Sequence, residues 1–237
     1  LVDGGIRALA RADRWVEPEL LGLRGLVRPG DVCLDVGAAL GLYTAELSRL
    51  AGPSGTVHSI EPLPFAHVTP SRLLGLRNRR NVRRHRLALG AKAGTSPMSV
   101  PLRDGRFVTG RSFLTDGAHG LGSNSEFEDH VEVVVETVTL DEFTDRTGLH
   151  RVDFIKVDVE GTEFDVLRGG ADLIGRGSPT LLLEIEERHL SRFRRTPDTI
   201  RDWLVDRGYR MSAWDGTVWR EVRRVDDRRR NYLFSRG

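Results

Sequence analysis

Cysteine is almost missing from this chain of 237 residues: Cys33 stands alone, so no disulfide framework can form within it. Cys33 sits inside an apolar run, where a small buried hydrophobe is expected. Lysine is nearly as scarce, with Lys92 and Lys156 the two lysines among 36 basic residues. An arginine bias of this kind reflects the coding genome more simply than a nucleic-acid footprint, because Asp and Glu are interspersed almost throughout. The formal charge is therefore only +2, although the sequence pI is about 9.0. A nucleic-acid partner is not expected. No apolar run approaches the roughly 20 residues that span a bilayer, and no secretory leader is recognisable, so we expect a cytoplasmic protein without a membrane partner. The chain opens on Leu1 rather than Met, which leads us to expect trimming of an upstream segment. Its length and 39% apolar content suit one domain with an insertion.

What is present centres on the stretch from Asp31 to Glu61, DVCLDVGAALGLYTAELSRLAGPSGTVHSIE. It parses as strand, glycine turn, helix and strand. Val32 to Val36 has the composition of a strand buried on both faces, broken by Asp35. Gly37 and Gly41 bracket the turn, where they would let a ligand approach the backbone beside a helix N-terminus. Glu61 ends the second strand, placed to accept hydrogen bonds from both hydroxyls of a ribose. The dinucleotide fingerprint G-x-G-x-x-G is not met, because Ala39 and Leu42 stand at its second and third positions, so a nicotinamide dehydrogenase is disfavoured.

Residues 1–30 read as an N-terminal helical arm, with helices over 3–15 and 20–27, and residues 31–237 as the main domain. A helix over 71–80 and a third strand over 82–89 follow. Residues 94–130 read as a lid or substrate insertion, rich in Gly, Ser and Asp, with one short strand near 98–102. The run VEVVVETVT over 131–139 is strongly β-prone. A strand ending at Asp158, one helix through Leu173 and a buried strand delivering Glu184 come next. Thr196-Pro197 opens the last helix, and three short strands near 209–213, 217–219 and 232–234 form an antiparallel edge. Strands alternating with helices predict an α/β doubly wound fold, mostly parallel with that antiparallel C-terminal edge. Ligands bind such sheets at the carboxyl ends of the strands, where Asp35, Glu61, Asp158 and Glu184 converge.

DVGAALGLYT, IEP, ALG over 88–90, VETVTLDEF, VDFIKVDVEGTEFDVLRGG and LLLEI occur in an order that resembles the FkbM family of S-adenosylmethionine-dependent O-methyltransferases, over roughly residues 17–187. The resemblance implies a Rossmann-like class I methyltransferase fold and S-adenosylmethionine as cofactor, with S-adenosylhomocysteine as product. It implies that Asp35, Gly37 and Gly41 form the methionine pocket and that Glu61 holds the ribose. The segment from Arg86 through Ala88 and Leu89 would flank the adenine, and Asp158 would face the reacting methyl. Glu17 would reach the cofactor's amino group from the arm, and Tyr43 and Thr44 would line the site. Ala39 stands where the family commonly carries Asn.

For an alcohol acceptor the hydroxyl proton must leave, and Asp158, Glu184 and then His189 are the candidates to take it. A Mg²⁺ held by Asp158, Glu160 and Glu184 is the metal alternative and is not favoured. The base-methylase turn N/D-P-P-Y/F is absent, since the corresponding place reads Asp158-Val159-Glu160-Gly161. The reading is an O-methyltransferase for a hydroxyl of a small molecule, a sugar or a polyketide or glycoside natural product of the kind made in antibiotic biosynthesis. A homodimer is allowed. A non-catalytic Rossmann-like RNA-binding module is the competing reading from another class.

Overall fold

A computed structural model describes residues 17–63 and 79–236. The helices expected over 3–15 and over most of 71–80 lie outside the described residues. Within them, apolar strands assemble a sheet in the order β12-β11-β13-β10-β9-β1-β2-β3. Its parallel part comprises β1 (Val32–Val36), β2 (Thr56–Ile60), β3 (Val82–His85), β9 (Phe154–Val157) and β10 (Thr180–Glu184). The antiparallel edge is β11 (Arg210–Trp214), β12 (Trp219–Glu221) and β13 (Asn231–Ser235).

Period-two alternation decides which face each side chain joins. Leu34, Val36, Ile155, Val157, Leu181, Leu183, Tyr232 and Phe234 enter one core, covered by the helices after β9 and before β11. Cys33, Phe154, Leu182 and Leu233 enter the opposite core, against Leu20, Leu23, Tyr43 and Leu47. By the same parity Asp35, Lys156, Glu184 and Asn231 share this second face. The register pairs Asp35 with Lys156, Lys156 with Leu182, and Glu184 with Asn231. Buried charge is thus concentrated in neighbouring rows at the carboxyl end of the sheet.

Three elements differ from the sequence expectation. The strand expected over 82–89 is two strands, because the chain leaves the main sheet after His85 and β4 (Ala88–Leu89) joins a second sheet. The helix expected from Glu163 through Leu173 is two, Glu163–Gly169 and Ala171–Gly177. Gly169 and Gly170 pack so tightly on Gly90 and Leu140 that side chains there would collide. The insertion is not a loop with a short strand. β5 (Gly94–Arg103) pairs antiparallel with β8 (Asp129–Val138) over nine residue pairs, flanked by β6 (Arg106–Phe107) and β7 (Phe113–Leu114). Pro97 and Pro101 both lie in β5, and Met98, Val100, Leu114 and Val135 give that sheet a small core of its own. Sequence polarity misleads here because one face of this ribbon is solvated.

Candidate active site

The glycine turn is shaped first by the chain itself. Gly37 has φ +78°, and a Cβ there would sit 1.7 Å from the Asp158 carbonyl oxygen, so this glycine is required by the neighbouring β9 turn rather than by a ligand alone. The Gly37 and Ala38 amides donate to Ile60 O at 3.0 and 3.1 Å. Ala39, at φ +40°, directs its amide to Glu61 Oε2 at 3.0 Å, and the Leu63 amide donates to Glu61 Oε1 at 3.0 Å. Gly41, at φ +80°, caps the next helix, Leu42–Ala51. Burial pushes the Glu61 carboxyl up to about 7 against these two amides, which pull it down.

Beside Glu61 runs a cavity with about 650 Å³ of empty space. Gly37 and Ala39 form one end, and Ile60, Leu87, Ala88 and Leu89 form an apolar slot. Thr109, Gly110 and Ser112, from the insertion, lie across it. A second cavity shares Gly37, Ala39, Gly110 and Asp158 with the first and is lined also by Glu17, Asp35, Tyr43 and Lys156. An apolar slot, a buried carboxylate and an acid-lined extension match the adenine, ribose and aminoacyl parts of S-adenosylmethionine in chemistry and in order. The residues present therefore fit that group.

The sequence-predicted residues divide into those that face these cavities and those that stand behind them. Asp35 is 2% exposed and accepts the Thr44 hydroxyl at 2.5 Å. Burial raises it to about 6, opposed by Thr44 and Lys156. Thr44 is fully buried and also contacts Ser59 Oγ at 3.0 Å, so it positions Asp35 and does not line the crevice. Tyr43 donates to Glu17 at 2.6 Å, and Glu17 also accepts from Asn231 Nδ2 at 2.9 Å. The arm is therefore latched to the last strand. Asp158 lines both cavities. Glu184 stands behind it, its carboxyl within 4.8 Å of those of Glu17 and Asp158. Burial, then the charge of Asp158, pushes Glu184 well above the usual carboxylate range.

His189 lies away from the crevice. It is 2% exposed, with Nδ1 3.1 Å from Glu160 and Nε2 3.6 Å from Glu186, and it lines neither cavity. Burial holds its pKa below the usual histidine value. It is corrected from a candidate base to a group behind Glu160. Glu160 itself lines the first cavity, and burial followed by Asp158 raises it to about 8.

Two contributors escaped the sequence reading. Lys156 is fully buried, with Nζ 2.8 Å from Asn231 Oδ1 and 3.3 Å from Asp158 Oδ2. Burial opposes its charge, but Asp158, Glu17 and Glu184 outweigh burial and raise its pKa. A lysine within an otherwise apolar strand was the available signal. Arg111 spans the insertion, donating to Glu126, Ser123 and Asn124 at 3.1, 3.1 and 3.0 Å, and nothing in its local sequence marks it.

Comparison with known proteins bears on the fold and the family. A crystal structure of a methyltransferase FkbM from Methylobacillus flagellatus covers 98% of this chain and 58% of its own, with TM-score 0.53 and 18% identity. The O-methyltransferase TomG from Streptomyces achromogenes, solved with S-adenosylmethionine, covers 100% and 89%, with TM-score 0.52 and 12% identity. These establish the class I methyltransferase fold. Among curated proteins, Methyltransferase 1 of Beauveria bassiana is 31% identical over 57% of each chain. The 31-O-demethyl-FK506 methyltransferase FkbM of Streptomyces tacrolimicus is 30% identical over 62% of each. The chain thus spans about three fifths of the length of these curated relatives. Residues 35–211 match the model of the Methyltransferase FkbM domain, and that span carries the glycine turn, Glu61, Asp158 and Glu184: the chain belongs to the FkbM methyltransferase family.

Proposed function

We propose that this protein is an S-adenosylmethionine-dependent O-methyltransferase whose acceptor is a hydroxyl of a small molecule, a sugar or a polyketide or glycoside natural product. The observation that carries the reading is a pair of cavities that share Gly37, Ala39, Gly110 and Asp158, one lined also by Glu61 and the other by Glu17 and Asp35. The name of the FK506 relative supports a natural-product acceptor.

When bound, S-adenosylmethionine supplies a methyl group already activated by its sulfonium. The chain's task is then alignment, worth on the order of 7–11 kcal/mol, against roughly 10²- to 10⁴-fold in rate for a general base. Glu61 and the slot of Ile60, Ala88 and Leu89 orient the nucleoside end. Glu17 and Tyr43, latched to Asn231, close the opposite end. Asp158, ion-paired to Lys156, accepts the acceptor's hydroxyl proton at its carboxylate, and Glu184 stands behind it. Thr109 to Ser112 exclude water from the nucleoside side.

Calorimetric titration of wild type and Glu61→Ala with S-adenosylmethionine and S-adenosylhomocysteine tests the cofactor. Loss of hydrogen bonds to a charged acceptor, about 1.5–3 kcal/mol, weakens binding by roughly 10- to 150-fold in the variant. Absence of binding to folded wild type would falsify the reading. If both ligands bind, radiolabelled methyl transfer to hydroxylated acceptors follows, and transfer confined to nitrogen acceptors would remove the O-methyl assignment.

A further inference from the structure

Behind Asp158, the geometry points to a divalent transition-metal site formed by Glu160, Glu184 and His189. Each offers one ligand atom, and the three atoms lie within 4.8 Å of one another. All three side chains are buried, at 8%, 7% and 2% exposure.

The second observation is what these atoms fail to do. Glu160 Oε2 and both ring nitrogens of His189 are buried without a hydrogen bond of acceptable geometry. A buried polar atom without a hydrogen bond costs roughly 1–3 kcal/mol, and these three, held only by the contacts of His189 to Glu160 at 3.1 Å and to Glu186 at 3.6 Å, leave room for a further partner. Glu160 also holds φ +58°, uncommon for a residue with a long side chain, and this turns its carboxyl toward His189. The neighbouring cations give no hydrogen bond to the carboxylate, although Arg111 is ion-paired with it. Arg192 donates to the Glu160 carbonyl oxygen at 3.2 Å and lies over the Phe113 ring at 3.7 Å, while Arg111 Nε stays 3.7 Å from the carboxylate.

A rival trio, Glu17, Asp158 and Glu184, is equally compact, but the Lys156 ammonium already sits 3.3 Å from Asp158. An ion there would have to displace a fully buried lysine. At the first trio, ligand atoms about 2.1 Å from an ion and at right angles to each other are about 3.0 Å apart, and His189 Nδ1 is 3.1 Å from Glu160 Oε2. Two carboxylates and an imidazole suit Mn²⁺, Fe²⁺ or Zn²⁺ better than Mg²⁺, which prefers an all-oxygen shell. The structure exchanges Asp158, the residue the sequence suggested, for His189.

The test needs no methyl transfer. Untagged protein is stripped with chelator and titrated with Mn²⁺ under electron paramagnetic resonance, with Zn²⁺ as competitor. The expected result is one Mn²⁺ per chain, displaced by Zn²⁺, with pulsed spectra showing coupling to a single histidine nitrogen. His189→Gln and Glu160→Gln, checked for folding by circular dichroism, lower the affinity at least tenfold, and Asp158→Asn lowers it less. No stoichiometric binding to folded wild type overturns the site. So does bound Mn²⁺ without nitrogen coupling, which is read on wild type and stands even if a variant misfolds.

Discussion

Asp35 shows how one buried carboxyl links the fold to pH. Its pKa rises from 3.8 to about 6 because burial outweighs the Thr44 hydroxyl and the Lys156 charge. A carboxyl raised on folding is held more tightly by the proton in the native state. Its contribution is therefore full below the unfolded pKa and is lost as pH rises through the folded one. At about 1.4 kcal/mol per pH unit, the interval is worth roughly 3 kcal/mol. The stability of wild type relative to Asp35→Asn is expected to be highest below about pH 3 and to fall by about this amount by pH 7. Urea unfolding of both proteins across that range measures it, and a pH-independent difference would show that the proton on Asp35 plays no part. Lys156 is the counterpart: its charge is retained in the core because three carboxylates surround it.

At the scale of elements, the ribbon formed by β5 and β8 matters more than its sequence suggested. Thr109, Gly110 and Ser112 line the cavity beside Glu61, and Arg111, between them, fastens this turn to Ser123, Asn124 and Glu126. A segment that covers a ligand governs how fast the ligand leaves. Arg111→Ala, which removes about 1.4 kcal/mol or more of charge-assisted bonding, is expected to raise the dissociation rate of S-adenosylhomocysteine about tenfold while changing association less. Stopped-flow fluorescence separates the two rates. An unaltered dissociation rate would mean that the ribbon does not retain the cofactor.

Across the whole molecule, the last strand completes both the sheet and the site. β13 lies between β10 and β11, buries Tyr232, Leu233 and Phe234, and brings Asn231 to Lys156 and Glu17. Those three side chains contribute roughly 1.5–3 kcal/mol each on burial, comparable together to the roughly 5–15 kcal/mol that holds a domain folded. A chain ending at Val225 also leaves the β10 edge unpaired. It is expected to show no cooperative thermal unfolding by calorimetry, and a cooperative transition in that truncated chain would show that β13 is dispensable.

The sequence by itself determined the parallel sheet and one end of the site. Apolar runs closed by Asp35, Glu61, Asp158 and Glu184 can satisfy burial only as strands within a layered α/β sheet, and the carboxyl ends of such strands share one edge. Strand alternation was legible as well, but the register of β1 with β9 was needed to place Lys156 on the same face as Asp35. Only the tertiary structure decided what each group does there. Thr44 and His189 have the chemistry of site residues, yet packing turns Thr44 onto Asp35 and buries His189 behind Glu160. The β5 ribbon was hidden because its polar face reads as loop, and its pairing with β8 joins residues from 27 positions apart (Leu102 and Asp129) to 43 (Gly94 and Thr137). Local sequence carries periodicity and turn chemistry. Partners brought together by long-range pairing, such as Lys156 with Asn231, 75 residues away, exist only once the sheet has formed.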